Sequence, residues 1–169
     1  NLGPDGNFYK LIQEATSEFC WILGDNEYLE KESLKKILEI LEKNKETSLI
    51  WLNNSGKNKV KIISSKEEFI SSLSFYITFI SGIIWKKNYK LKLDYSEVEN
   101  TYLAQIFYYL DAIQLGKKYI ITYDKYFSSI ELSNGGYKLF DIFSNSFNKI
   151  LERYNLNPKI IDKINKDLC

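Results

Sequence analysis

The chain predicts an α/β protein, a partial Rossmann-like domain with a mostly parallel sheet flanked by helices and two closing C-terminal helices. Three observations carry this. Strand-length runs at Phe19–Leu23, Ser48–Leu52 and Lys118–Tyr123 end in turn residues or acids. The first two are apolar without strict alternation, as strands covered on both faces are. Between the runs lie segments whose apolar residues follow helical spacing, so helix and strand alternate along the chain. At 169 residues the chain has the length of one domain.

Asn7 is positioned to cap a first helix, in which Phe8, Leu11, Ile12 and Ala15 recur at i, i+3, i+4 and i+7. The run Phe19–Leu23 follows and ends in Gly24-Asp25-Asn26-Glu27. In open α/β sheets, ligands sit beyond the C-terminal ends of the strands, so two carboxylates and an amide at this place suit a metal or phosphate site. The same residues also suit a plain polar turn. Leu34, Ile37, Leu38 and Leu41 predict a helix over about 32–44, and Asn53-Asn54-Ser55-Gly56 ends the strand Ser48–Leu52. Lys59-Val60-Lys61-Ile62 alternates, as a half-exposed edge strand does.

Glu67–Tyr76 has mixed helical character, and Phe79–Trp85 is a second dense apolar run, in which Gly82 marks a bulge, a close approach or relieved packing. Lys86–Lys92 is basic and reads as a solvated surface. Asp94, Glu97 and Glu99 precede a helix carrying Tyr102, Ile106, Tyr109, Leu110 and Ile113, where acids either offset the helix dipole or form a site. Gly116 stops that helix. After Asn134-Gly135-Gly136, the residues Tyr137, Phe140, Phe147, Leu151 and Tyr154 share one helical face. Asn157-Pro158 then opens a last helix with Ile160, Ile161, Ile164 and Leu168. These two amphipathic helices pack on the domain by default, with a homodimer contact or a peripheral membrane contact as alternatives. The division expected is 1–130 for the α/β part and 131–169 for the helical extension.

Composition narrows the chemistry. Lys+Arg is 23 against Asp+Glu 22, so a net charge of +1 makes no case for nucleic acid as a partner. Histidine is absent, which removes imidazole bases and His-ligated zinc and leaves acid and base work to Asp, Glu, Tyr or Lys. The two cysteines, Cys20 and Cys169, outline neither a disulfide framework nor a metal motif, and a reduced, cytoplasmic setting is expected. The most apolar segment, Leu73–Trp85, is shorter than the roughly 20 residues of a membrane span. The chain has no methionine and begins with Asn1, so it is expected to continue upstream.

Three segments taken together resemble a known family: Asn1-Leu2-Gly3-Pro4-Asp5-Gly6-Asn7, then Phe19–Leu29 with its Gly24-Asp25-Asn26-Glu27 centre, then Phe79-Ile80-Ser81-Gly82-Ile83-Ile84-Trp85-Lys86-Lys87. Their order and distances are similar to those of the family 2 glycosyltransferases of the GT-A fold, in the bacterial surface-polysaccharide group related to abequosyltransferases. The resemblance runs from about Asn1 to Tyr126 and implies the second half of such a domain, without the leading strands and helix that hold the nucleoside. It implies a metal-dependent, inverting transferase that moves a sugar from a nucleotide-sugar donor to a glycan or lipid-linked glycan acceptor, at or near the inner face of the cytoplasmic membrane. By the resemblance, Asp25 and Glu27, with Asn26 beside them, hold Mn²⁺ or Mg²⁺ through hard oxygen ligands. Asn7 and Gly24 then lie beside the donor, and Ser81 and Gly82 in the acceptor region.

The family's catalytic acid corresponds to Asn100, which has no basic oxygen to offer. The role of base therefore falls to Glu99, or to Asp94 or Glu97. A non-catalytic interaction module descended from such a transferase is the alternative. A nucleotidyltransferase would need a Gly-rich phosphate loop, and none is visible.

Overall fold

The computed structural model describes residues 2–87, 93–130 and 142–168. The first helix, α1, spans Gly3–Glu14, and the strand β1, Phe19–Trp21, follows it. Next come β2 (Glu27–Leu29), α2 (Ser33–Lys43), β3 (Leu49–Leu52), β4 (Val60–Ile63) and α3 (Lys66–Leu73). Two 3-10 turns, Ser74–Thr78 and Ile80–Gly82, lead into β5 (Ile83–Lys86). The rest is α4 (Tyr95–Val98), α5 (Ala104–Leu115), β6 (Tyr119–Thr122), β7 (Phe127–Ser129), a π-helical turn Ile142–Phe147, α6 (Asn148–Arg153) and α7 (Pro158–Leu168). Asn1, Cys169, most of the basic segment after Lys87, and Asn134-Gly135-Gly136 with Tyr137 and Phe140 lie outside the described residues.

Five strands form one sheet in the order β1-β5-β3-β6-β4, and β2 pairs with β7 in a separate ribbon. The α/β expectation holds, while the expected strand direction needs correction. Among the described residues only β3 and β6 of this sheet run parallel, and the β1–β5, β3–β5 and β4–β6 pairs are antiparallel. The physical reason is that apolar runs report burial on both faces, and a mixed sheet covered by helices satisfies that as well as a parallel one does.

Alternation along the strands sorts the core into two layers. Leu49, Trp51, Ile83, Trp85, Tyr119 and Ile121 face one side with Ile12, Phe69, Phe107, Leu110, Ile150 and Ile164, which come from α1, α3, α5, α6 and α7. Ile50, Leu52, Ile84 and Ile120 face the other side, where Ile37 of α2 meets Tyr126 and Phe127. The inner strands β3 and β6 are buried at every position. In the two closing helices Ile150, Leu151, Ile160 and Ile164 are buried, the Ser74 hydroxyl donates to Asp167, and the Lys163 ammonium donates to the Ser71 carbonyl.

Several local expectations change. Asn7 is not the cap of α1: the helix starts earlier, with a proline in its first turn, and Asn7 sits exposed within it. The strand expected over Phe19–Leu23 is shorter and lies at a sheet edge, half-buried. Gly82 closes a 3-10 turn and is not a strand bulge. A Cβ there would lie 3.1 Å from Phe79 Cδ1 and 3.7 Å from the Leu52 carbonyl. The acids ahead of α5 do not occupy its first turn. Asp94 and Glu97 close a capping box on α4, and α5 carries no acid in its own first turn.

Candidate functional site

Register brings the acidic turn and the second glycine-bearing segment together. Because β1 and β5 are antiparallel, with Trp21 opposite Ile84, the chain leaving β1 and the chain entering β5 meet at one end of the sheet. There the Gly24 N–H points at the Ser81 Oγ, 2.9 Å away, and at Glu27 Oε2, 2.8 Å away. The buried Ser81 hydroxyl donates to the same Glu27 oxygen, and the Trp21 indole N–H fixes the Ser81 carbonyl at 2.9 Å. The Glu27 N–H closes the turn on the Gly24 carbonyl at 3.2 Å.

Glycine at position 24 lets the Glu27 carboxylate come this close. A Cβ there would stand 2.3 Å from Glu27 Oε2 and 3.3 Å from Asn26 Oδ1. Those two oxygens thus converge on a cradle that any side chain would fill. Asp25 is exposed between β1 and β2, and Glu27 and Asn26 are half-buried.

Asp25, Asn26 and Glu27 carry two carboxylates and an amide oxygen, the ligand chemistry that hard divalent cations take. Among the described residues no three acids, cysteines or histidines gather to hold a metal. A site of this kind suits a cation that keeps water and takes its remaining oxygens from substrate phosphates, as Mg²⁺ does.

Beside the turn lies a cleft of ≈ 490 Å³ with Trp51 and Leu52 at its floor, Tyr76, Phe79 and Phe127 on its walls, and Asn53, Ser128 and Ser129 among its polar groups. Ser129 is the register partner of Glu27, and a Cβ on Gly82, next to Ser81, would meet both Phe79 and Trp51, so cleft and turn share a border. Asn54 anchors the far wall. Its Oδ1 accepts the Tyr126 and Phe127 N–H groups at 2.7 and 3.2 Å, and its Nδ2 donates to the Phe127 carbonyl at 2.9 Å. Lys125 pairs with Glu30 at 3.1 Å, and the pair, with the Ser128 hydroxyl, holds the Glu30 carboxyl below its usual range.

Over 62 residues the chain is 34% identical to the abequosyltransferase RfbV of Salmonella typhimurium strain LT2. That is a likeness to a sugar transferase. It covers 37% of this chain and 19% of that protein. No family model matches the chain.

The candidate bases stand elsewhere, around the loop ahead of α5. The Asp94 carboxylate is taken up in capping α4, and Glu97 is bound to Arg153, which pulls its carboxyl below the usual range. Glu99 is exposed at the end of α4, with no hydrogen bond to its carboxylate among the described residues. Two non-glycine residues just after it, Asn100 (φ 63) and Tyr102 (φ 59), take left-handed backbone. The side chain that secures this loop is Asp5. Buried, it accepts the Tyr102 N–H at 2.8 Å, the Ala104 N–H at 3.1 Å and the Thr101 hydroxyl at 3.3 Å. Sequence reasoning missed Asp5 as a cap, because its partners lie 96 to 99 residues away. Tyr76, Phe127 and Asn54 were missed as site residues for the same kind of reason.

Proposed function

We propose that this protein transfers a sugar from a nucleotide-sugar donor to a glycan acceptor in the building of a bacterial surface polysaccharide. The observation that carries the reading is the cradle at Gly24, where Glu27 Oε2 and Asn26 Oδ1 converge beyond the end of β1. The partial likeness to an abequosyltransferase supports it.

In this reading Asp25, Asn26 and Glu27 hold Mn²⁺ or Mg²⁺, and the charge-neutralising chemistry such a cation supplies belongs to the departing nucleoside diphosphate. Ser81 and the Gly24 amide keep Glu27 turned inward, and Trp21 keeps Ser81 in place. Glu99, the acid near α5 whose carboxylate has no hydrogen bond or ion pair among the described residues, takes the proton from the acceptor hydroxyl. That oxygen then bonds to the anomeric carbon as the bond from carbon to the phosphate oxygen breaks. β1 has no second neighbour among the described residues, so its free edge is where nucleoside-holding strands of a longer sheet would pair.

The test uses the complete protein with nucleotide-sugar donors and Mn²⁺. Asp25→Ala combined with Glu27→Ala is expected to abolish metal-dependent transfer, and Glu99→Gln to slow it by about 10² or more while donor binding persists. Transfer unchanged in the double variant would remove the metal assignment and leave a non-catalytic module as the better account.

A further inference from the structure

The cleft beside the acidic turn has its own chemistry. Tyr76 and Phe79 remain 47% and 41% exposed although they are large aromatic residues, and both face it from one short segment. Neither ring is loose. Tyr76 rests on Trp51, with centroids 5.6 Å apart and planes at 30°, and on Phe75 at 4.4 Å and 25°. Phe79 leans on Phe127 at 5.8 Å, and its position is set by Gly82, where a Cβ would press on the ring. Rigid aromatic surfaces of this kind bind with little loss of side-chain entropy. Around them stand the Asn53 amide and the Ser129 hydroxyl, with the Ser128 hydroxyl, which donates to Glu30, left only as an acceptor. The cation among the lining residues, Lys125, is already paired with Glu30.

These features select a class of ligand. A phosphate would want an unpaired cation, and a lipid chain would leave the Asn53 amide and the Ser129 hydroxyl without partners. A pyranose satisfies both halves of the surface. One face of the ring carries C–H groups, which lie well on the electron-rich face of an aromatic ring, and its edge carries hydroxyls. The cleft's ≈ 490 Å³ is within the roughly 300–1,000 Å³ of small-molecule sites.

We infer that this cleft is a saccharide subsite in which a neutral pyranose lies against Tyr76 and Phe79 and its hydroxyls meet Asn53, Ser128 and Ser129. Its role as the acceptor's place rests on the transferase reading above, whereas binding of a pyranose does not. Its border with Glu27, through Ser129 and Gly82, puts the bound ring next to the acidic turn.

The experiment is an NMR titration of this chain with methyl glycosides of glucose, galactose, mannose and rhamnose, following saturation transfer to the sugar and the indole N–H signal of Trp51. Uridine diphosphate serves as the comparison ligand. At least one glycoside is expected to bind in the millimolar range and shift the Trp51 signal. Tyr76→Ala and Phe79→Ala should each weaken it about tenfold, and Tyr76→Phe, which keeps the ring, by less than about threefold. The subsite is overturned if no glycoside shifts Trp51, if uridine diphosphate alone does, or if folded Tyr76→Ala and Phe79→Ala bind as the unaltered chain does. Transfer without glycoside binding would remove the subsite and spare the transferase reading. Glycoside binding in a protein that transfers no sugar would do the reverse.

Discussion

Replacing Gly24 by alanine separates the needs of the site from those of the fold. The added Cβ would fall 2.3 Å from Glu27 Oε2 and 3.0 Å from its Cδ, and the backbone at Gly24 is not left-handed. The atoms in the way belong to the far end of a flexible side chain, so the carboxylate moves and the backbone stays. Its retreat costs the bonds from the Gly24 N–H and the Ser81 hydroxyl, about 1 kcal/mol after water takes their place at a half-exposed group. The loss of a glycine from the unfolded chain returns about 0.4–1 kcal/mol. Stability therefore changes by less than about 1 kcal/mol, a Tm shift within about 4 °C for a chain of this size.

On the proposed function the site fares worse, since supports of a metal ligand commonly carry about 10–100-fold in affinity. Thermal unfolding together with a Mn²⁺ titration of the variant checks both halves. A fall in Tm beyond about 10 °C would show that Gly24 serves the fold, and unchanged Mn²⁺ affinity would show that the inward pose of Glu27 is irrelevant.

Asp5→Ala strips the cap of α5 and leaves two backbone N–H groups without an acceptor, so we expect a loss of about 3 kcal/mol, seen as a Tm lowered by roughly 6–12 °C. Asp5→Asn, which keeps one oxygen, should lose less, and equal losses for the two would contradict the capping account. Asp111 lies on α5 where burial raises its carboxyl above the ordinary value of 3.8. The folded chain then binds a proton more readily than the unfolded one, so this group withdraws stability as pH rises from 3.8 through its raised value. Asp111→Asn should accordingly raise Tm at pH 7 and not below pH 3.8, and a pH-independent gain would refute the assignment. Asp124 and Asp167 have the opposite sign. Lys36 holds the first carboxyl low, and Ser74 with Lys163 the second, so their stabilisation is present above 3.8 and fades as pH falls through their depressed values. The acid limb of a Tm–pH curve should flatten in Lys36→Ala.

Much of the architecture could be read from the chain because burial leaves a local record. The run at Leu49–Leu52 is apolar at every position and proved buried on both faces, and the alternation near Val60 proved to be an edge strand. Pro158 opens the last helix, with the Asn157 side chain accepting the Lys159 N–H. Local pattern also has limits. Leu34 and Leu38 share the helical stripe of Ile37 yet stay exposed. The strands Glu27–Leu29 and Phe127–Ser129 are too short and mixed to carry a period of their own, and they exist because each pairs with the other.

The sequence by itself determined which stretches are buried and where carboxylates, glycines and aromatic residues stand along the chain, since those properties depend on residue type and near neighbours. Only the tertiary structure decided that β5 runs against β1 and β3, that Ser81 therefore closes on Glu27, that Asp5 caps a helix 99 residues away, and that Tyr76 and Phe79 line one cleft with Phe127. Strand direction and long-range hydrogen bonds come from which segments the compact chain brings together, and no local pattern encodes that choice.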